Sequence, residues 1–265
     1  MSEKIKLCDL SKCTGCRGCQ LACKQWNQLP AKQTINTGTY QNPPDLQPNT
    51  WNIIRFQEIS DGNGGVDWLF RHDACMHCTD AACVKVCPSG ALHHTKYGTV
   101  ALDDSKCIGC KECVMACPFE VPRYNPETDK ILKCDMCYSR IDNGMEPACV
   151  KACPTGALMF GDKDEMLKMA YERAGELGGD ASVYGDKFVG GTHMIYVLPE
   201  KAAVYDRLPE KPRVPLSVIA WKDWLKPLSL LAAGGVIAGS FLHYITHGPK
   251  DTSGDGDQAN REGGE

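Results

Sequence analysis

The sequence predicts an α+β chain made of two small cysteine-rich modules, a β-hairpin insert and one C-terminal transmembrane helix. Three observations carry that expectation. Sixteen of the 17 cysteines fall into four regular groups. A β-rich stretch bounded by turn residues lies between the first group and the second. A run without charge lies near the end of the 265-residue chain. Seventeen cysteines is several times ordinary usage, and no secretory leader is expected that would point to a disulfide scaffold. Charged residues at 23% and hydrophobic ones at 43% are the proportions of a globular protein, not of a disordered or fibrous one. With a net charge of -4 and no basic stripe interleaved with aromatics, nucleic acid is not an expected partner.

The cysteine groups are Cys13, Cys16, Cys19, Cys23; Cys75, Cys78, Cys83, Cys87; Cys107, Cys110, Cys113, Cys117; and Cys134, Cys137, Cys149, Cys153. The first and third read C-x2-C-x2-C-x3-C, the bacterial ferredoxin run, in which three thiolates wrap one cubane and the fourth ligates the other cluster of the pair. The second group widens one gap to x4 and the last widens it to x11. Three groups end in Cys-Pro, at Pro88, Pro118 and Pro154, where the fixed φ of proline redirects the chain; the first ends in Cys23-Lys24. Only Cys8 is left over, and it is expected to be a small buried residue.

A cubane held by four thiolates is a net anion, so its burial calls for backbone N–H groups aimed at sulfur and for nearby positive charge. Gly15, Gly18 and Gly109 lie inside the ligand loops, where a missing Cβ lets the backbone approach closely. Lys12, Arg17, Lys85, Lys106, Lys111, Lys133 and Lys151 lie beside ligands, and the plain expectation for each is solvated surface charge. Zinc is the competing metal, since it also takes four thiolates from paired C-x2-C units. Three cysteines within seven residues, seen twice, favour iron-sulfur over zinc. Covalent c-type haem is excluded: in Cys75-Met76-His77-Cys78 the histidine lies inside the pair, and Thr79 follows it.

Between the groups, 51–59 reads as a strand, 61–65 as a turn and 66–70 as a second strand. Beyond Cys153, residues 163–177 carry helical spacing through Met166, Leu167, Ala170 and Leu177; 193–198 reads as a strand; 199–215 reads as an extended linker toward the membrane. From Pro227 to Tyr244 no residue is charged, which with its flanks approaches the ~20 residues needed to span a bilayer core. Trp221 and Trp224 precede it as an interfacial belt would. Gly235 and Gly239, with Gly234 and Ala238 beside them, form a small-residue face suited to helix packing. His243 and His247 lie one turn apart near its end, and the tail from Asp251 to Glu265 is acid- and glycine-rich, expected to be disordered.

The chain resembles the iron-sulfur (beta) subunit of membrane-bound formate dehydrogenase of the N/O type. The likeness runs from about residue 8 to 249, through CTGCRGCQLACKQWN, WNIIRFQE, CMHC, CIGC, CPFEVPRYNP, EPACVKACPTGAL and GGTHMIYVL into the tryptophan-rich entry of the terminal helix. Four-cluster subunits of nitrate, dimethyl sulfoxide and polysulfide reductases and of some hydrogenases share the cluster motifs. The insert and terminal helix therefore carry the specific assignment. Nitrate reductase relatives replace one ligand with tryptophan at a [3Fe-4S] site; every matching position here is cysteine.

The resemblance implies two nested bacterial-ferredoxin-like modules and four [4Fe-4S] clusters, although the spacing alone also allows consecutive pairing. Cluster 1 would be held by Cys13, Cys16, Cys19 and Cys153; cluster 2 by Cys23, Cys134, Cys137 and Cys149; cluster 3 by Cys75, Cys78, Cys83 and Cys117; cluster 4 by Cys87, Cys107, Cys110 and Cys113. The implied division is 1–23 with 134–160 as the first module, 24–74 as the insert and 75–133 as the second module. An extension and linker follow at 161–218, then the transmembrane helix at 219–247 and the tail at 248–265.

Implied partners are a catalytic alpha subunit carrying a Mo/W-bis-pterin, a cytochrome b gamma subunit and the lipid bilayer, with room for a higher oligomer of the complex. The family's haem ligands lie on the gamma subunit, so His243 and His247 are not expected to ligate haem. The family exports its beta subunit folded with the alpha subunit, implying the periplasmic face of the inner membrane. Arg207, Lys211, Arg213, Lys222 and Lys226 before the helix point to the cytoplasmic side by the positive-inside rule. No residue set resembles a substrate pocket with a nucleophile or general base, so conduction and not catalysis is expected.

Overall fold

The computed structural model describes residues 2–60 and 62–248. The chain divides into two compact units, Met1–Val218 and Ile219–Glu265. In order, the first unit runs β1 (Lys4–Asp9), α1 (Gly18–Trp26), β2 (Ile53–Ser60), β3 (Val66–Asp73), α2 (Ala82–Val86), β4 (Leu92–His94), β5 (Val100–Leu102) and α3 (Glu112–Ala116). It continues through β6 (Arg123–Asn125), β7 (Lys130–Leu132), α4 (Tyr138–Asp142), α5 (Ala148–Lys151), β8 (Leu158–Asp162), α6 (Lys163–Leu177), β9 (Ser182–Tyr184) and β10 (Met194–Leu198).

A four-stranded sheet of order β8-β1-β10-β9 forms the floor of this unit. β1 pairs in parallel with β10 and antiparallel with β8. Strand side chains alternate between faces, so Ile5 and Leu7 meet Met166 and Ala170 of α6 on one side, with Ile195 and Val197 of β10 beside them. Each such fully buried aliphatic side chain stabilises the fold by roughly 1.5–3 kcal/mol. The same alternation turns Lys6 and Cys8 to the other side; there Cys8 packs with Met194, Tyr196 and Leu198 against Cys19, Met76 and Cys149. Helix α6 occupies the residues its spacing marks, opens with Asp164 and Glu165 and ends at Gly178 with φ +64.

On the sheet's cysteine face lie short elements in pairs. Helix α1 packs against α5 and α2 against α3; β4 pairs with β5 and β6 with β7. Between them, β2 and β3 form an antiparallel ribbon from Ile53↔Asp73 to Ser60↔Val66. It outruns the expected strands because Arg71 and His72 are buried and bonded. Arg55 and Arg71 stand directly opposite, an unfavourable pairing. Asp73 offsets it, 2.7 Å from Arg55 and 3.3 Å from Arg71. The expected linker 199–215 is instead packed chain: Tyr205, Leu208 and Val214 are buried, and Gln57 bonds both Val204 and Asp206.

The described residues of the second unit are helical. α7 (Leu216–Ile219) leads through a π-helical stretch, Ala220–Leu225, into α8 (Lys226–His247). Pro227 falls in the first turn of α8, where its missing N–H costs no helical bond. Twenty-two residues at 1.5 Å rise give about 33 Å, the thickness of a hydrocarbon core. Leu228, Leu231, Val236, Ile237, Phe241 and Ile245 are all exposed, and by length and composition this helix can cross a membrane. Gly235 and Gly239 lie one turn apart on it, and the rings of His243 and His247 stack at 4.8 Å. The expected tail from 251 onward lies outside the described residues.

Candidate metal centres

Each ligand loop is shaped by left-handed backbone. Gly15 and Arg17 have φ +67 and +61 before α1, and Gly109 and Lys111 have +66 and +64 before α3. His77, Met136 and Cys137 do the same in the other two groups, at +49, +62 and +53. Such turns aim successive N–H groups inward, making a concavity for an anion. The donors point at sulfur: His77 N to Cys75 Sγ at 3.4 Å, Met136 N to Cys134 Sγ at 3.4 Å, Ile131 N to Cys107 Sγ at 3.5 Å and Leu158 N to Cys153 Sγ at 3.5 Å.

The folded chain brings cysteines of different groups together. One cavity is lined by Cys13, Cys16, Cys19 and Cys153, with Cys8 in its wall. A second is lined by Cys23, Cys134, Cys137, Cys149 and Lys6. A third is lined by Cys87, Cys107, Cys110 and Cys113. Cys78 lies within electrostatic reach of Cys75, Cys117 and Cys83. These sets neighbour one another in turn, through Cys19 with Cys149, Cys134 with Cys75, and Cys83 with Cys113. All seventeen thiols are free of disulfides.

Burial pushes most of these thiols up, to about 12 for Cys19, Cys83, Cys113 and Cys134 and about 11 for Cys117 and Cys137; neighbouring thiolates add to the rise. Cys87 and Cys153 go the other way. Burial raises them, but backbone N–H groups of Leu92 and Leu158 and the Ser89 and Thr155 hydroxyls outweigh it. Raised thiols must give up protons to bind a metal. Inward N–H groups, four-sulfur cavities and anion-favouring turns all fit a thiolate-bound iron-sulfur cluster.

Of the cations flanking ligands in the sequence, Lys12 pairs with Asp9 at 3.5 Å, Lys106 with Asp103 at 2.9 Å and Lys85 with Asp80 at 2.7 Å. Arg17 lies 4.5 Å over the Phe56 ring and Lys111 3.8 Å over that of Tyr124. Lys133 departs from the surface expectation, since it is 2% exposed. Sequence reasoning missed Lys6, which is 1% exposed with Nζ 3.8 Å from Cys149 Sγ. The alternation of KIKLCD held the signal, placing Lys6 on the face of Cys8 and opposite Ile5 and Leu7. A second missed signal is the near-repeat AACVKVCPSGAL at 81–92 and PACVKACPTGAL at 147–158.

Fold and site thus define an iron-sulfur protein of the paired-ferredoxin kind with an apolar terminal helix. Family models agree: 4Fe-4S dicluster domains match residues 12–91 and 66–163, and the transmembrane domain of formate dehydrogenase N matches 214–257. The chain is 44% identical over 257 residues to the formate dehydrogenase iron-sulfur subunit of Haemophilus influenzae, covering 93% of this chain and 81% of that one. In Escherichia coli, the nitrate-inducible formate dehydrogenase iron-sulfur subunit is 42% identical over 268 residues, 98% of this chain and 91% of that one. The formate dehydrogenase-O iron-sulfur subunit of the same organism is 43% identical over 254 residues, 93% and 84% of the two chains. The chain belongs to the iron-sulfur subunits of formate dehydrogenases of the N/O type, and it is membrane-anchored.

Proposed function

We propose that this subunit conducts electrons from a Mo/W-bis-pterin alpha subunit, where formate is oxidised, through four [4Fe-4S] clusters to a cytochrome b gamma subunit and quinone. The proposed ligand sets are Cys13, Cys16, Cys19 and Cys153; Cys23, Cys134, Cys137 and Cys149; Cys75, Cys78, Cys83 and Cys117; Cys87, Cys107, Cys110 and Cys113. The single observation that carries the reading is the cavity lined by Cys153 together with Cys13, Cys16 and Cys19. With α1 against α5 and α2 against α3, it supports nested pairing over consecutive pairing. When bound, each cluster supplies one-electron transfer at a potential set by its surroundings. The chain's own residues hold the thiolates, aim N–H groups at them and exclude water.

The cluster domain is proposed to face the periplasm, with α8 docked on the gamma subunit through Gly235 and Gly239. Iron and labile sulfide near sixteen each per chain are expected, with a reducible paramagnetic signal; a colourless zinc protein would overturn the reading. Replacing Cys153 with serine should damage the cluster held mainly by Cys13, Cys16 and Cys19. Damage confined to the Cys134 site would refute the nested pairing. Protection of the cluster domain from protease in intact spheroplasts would overturn the periplasmic assignment.

A further inference from the structure

Two ammonium groups lie inside the first unit without a carboxylate in ion-pair contact among the described residues. The Nζ of Lys6 meets His72 Nε2 at 3.2 Å and Cys149 Sγ at 3.8 Å. That of Lys133 donates to the carbonyls of Val100 at 2.6 Å and Cys134 at 2.9 Å. By contrast Lys4, two residues from Lys6 on the same strand, is 2.9 Å from Asp162 near the surface. An ammonium buried with only neutral acceptors is strongly unfavourable, and a compensating anion must lie close.

The acidic groups that neighbour these lysines are mostly cysteine thiols: Cys149, Cys134 and Cys137 with Tyr196 around Lys6, and Cys75, Cys83 and Cys134 with Asp135 around Lys133. Lys6 lines the cavity of Cys23, Cys134, Cys137 and Cys149. Lys133 follows the strand β7, immediately precedes Cys134 and lies within electrostatic reach of Cys75 and Cys83.

We propose that Lys6 and Lys133 are fixed counter-charges of the two inner cluster sites, Lys6 for that of Cys149 and Lys133 for that of Cys75 and Cys83, and that they raise those sites' reduction potentials. The inference rests on the cluster assignment above. Reduction adds negative charge to a group that is already anionic, and a cation held beside it in a low-dielectric interior favours the reduced form. Neither lysine touches a substrate; both are positioning residues that act through the field they set. Because both are buried, salt screens their effect little.

The test is a redox titration, followed by electron paramagnetic resonance, of the iron-loaded full chain in its complex, with iron counted in each sample. Lys6→Met and Lys133→Met are each expected to move one midpoint downward by at least a tenfold change in the reduced-to-oxidised ratio, about 59 mV for a one-electron couple. Lys6→Arg should restore the midpoint, Lys4→Gln should leave every midpoint in place, and the Lys6→Met shift should persist in high salt. Full iron with unmoved midpoints overturns the inference and spares the cluster assignment. Iron far below sixteen in the unaltered chain overturns the assignment itself. Should Lys6→Met lose a cluster, retention in Lys6→Arg supports the charge role; equal loss in both shows that packing is what matters and overturns it.

Discussion

Asp45 pairs with three arginines, and its removal should be costly in a particular way. Its oxygens lie 2.6 Å from Arg55, 2.7 Å from Arg123 and 3.0 Å from Arg207, joining the insert, β6 and the packed segment after β10. A unit pair at 3 Å has about 5 kcal/mol of Coulomb energy at an effective dielectric of 20, before side-chain ordering and residual hydration are subtracted. Arg55 and Arg123 are 10% and 20% exposed, so their bonds approach the buried limit of about 3–5 kcal/mol for breaking a pair; Arg207, 44% exposed, belongs near the 0–1 kcal/mol of surface pairs. Asp45 itself retains 28% exposure, which brings the expected cost of Asp45→Ala to about 2–3 kcal/mol. For a unit of this size that lowers the melting temperature of the iron-loaded chain by about 4–12 °C. Arg207→Ala should cost no more than about 1 kcal/mol. Thermal and denaturant midpoints measured side by side test this, and equal effects of the two substitutions would refute the argument from burial.

The same carboxylate sets an acid limit: burial raises its proton affinity, but bonds from Arg55 and the Leu46 N–H, with Arg123, outweigh that and lower it. Its contribution is therefore present above the unfolded value near 4 and is lost as pH falls through the lower folded value; an acid melting series should show Asp45→Asn less pH-dependent than the unaltered chain. A Cβ on Gly109, at φ +66, would stand 2.4 Å from the Asp129 carbonyl oxygen, whereas one on Gly15, at φ +67, would meet the Phe70 ring at 3.0 Å. Both substitutions carry the left-handed penalty of about 1–2 kcal/mol, so Gly109→Ala should exceed Gly15→Ala in iron loss and destabilisation, and the reverse order would sink the comparison. Ile237→Lys places charge midway along α8 and should cost about 2.5–3.5 kcal/mol of insertion, read as chain lost from the membrane fraction.

How much of this was legible in the sequence differs element by element. Helix α6 was readable to the residue, because Met166 and Ala170 repeat at helical spacing and Gly178 stops the run. The segment 199–215 was not, since nothing in its proline- and charge-rich composition shows that Tyr205 and Leu208 find a surface between Tyr196, Leu198 and the β2–β3 ribbon. Cysteine spacing announced thiolate sites without saying which groups share one. In the pairing proposed above, that choice rests on the packing of α1 on α5, over a hundred residues apart in sequence, and local spacing carries no record of it. The burial of Lys6 is a tertiary fact of the same kind: the strand pattern gives its face, but only the neighbouring sulfurs make that face tolerable to a charge.

The near-repeat at 81–92 and 147–158 shows how similar sequence is set in unlike surroundings. The second cysteine of each copy, Cys87 or Cys153, accepts from a backbone N–H five residues on, Leu92 or Leu158, with a hydroxyl two residues on, Ser89 or Thr155, at 3.7 or 3.8 Å from sulfur. That local bonding is dictated by Cys-Pro-Ser/Thr-Gly-Ala-Leu and is the same twice. What differs is supplied from elsewhere in the fold. The loop of Gly15, facing Cys153, lies under Phe56 and Phe70, and Arg17 stacks on Phe56. The loop of Gly109, facing Cys87, lies under the Asp129 backbone and carboxylate, and Ile108 beside it is 62% exposed. Among clusters with the same thiolate ligands, potentials follow net charge, hydrogen bonds to sulfur and solvent exposure. Equal ligands therefore do not make equal sites: aromatic rings of the insert lie over one loop, and a backbone carbonyl and a carboxylate lie over the other.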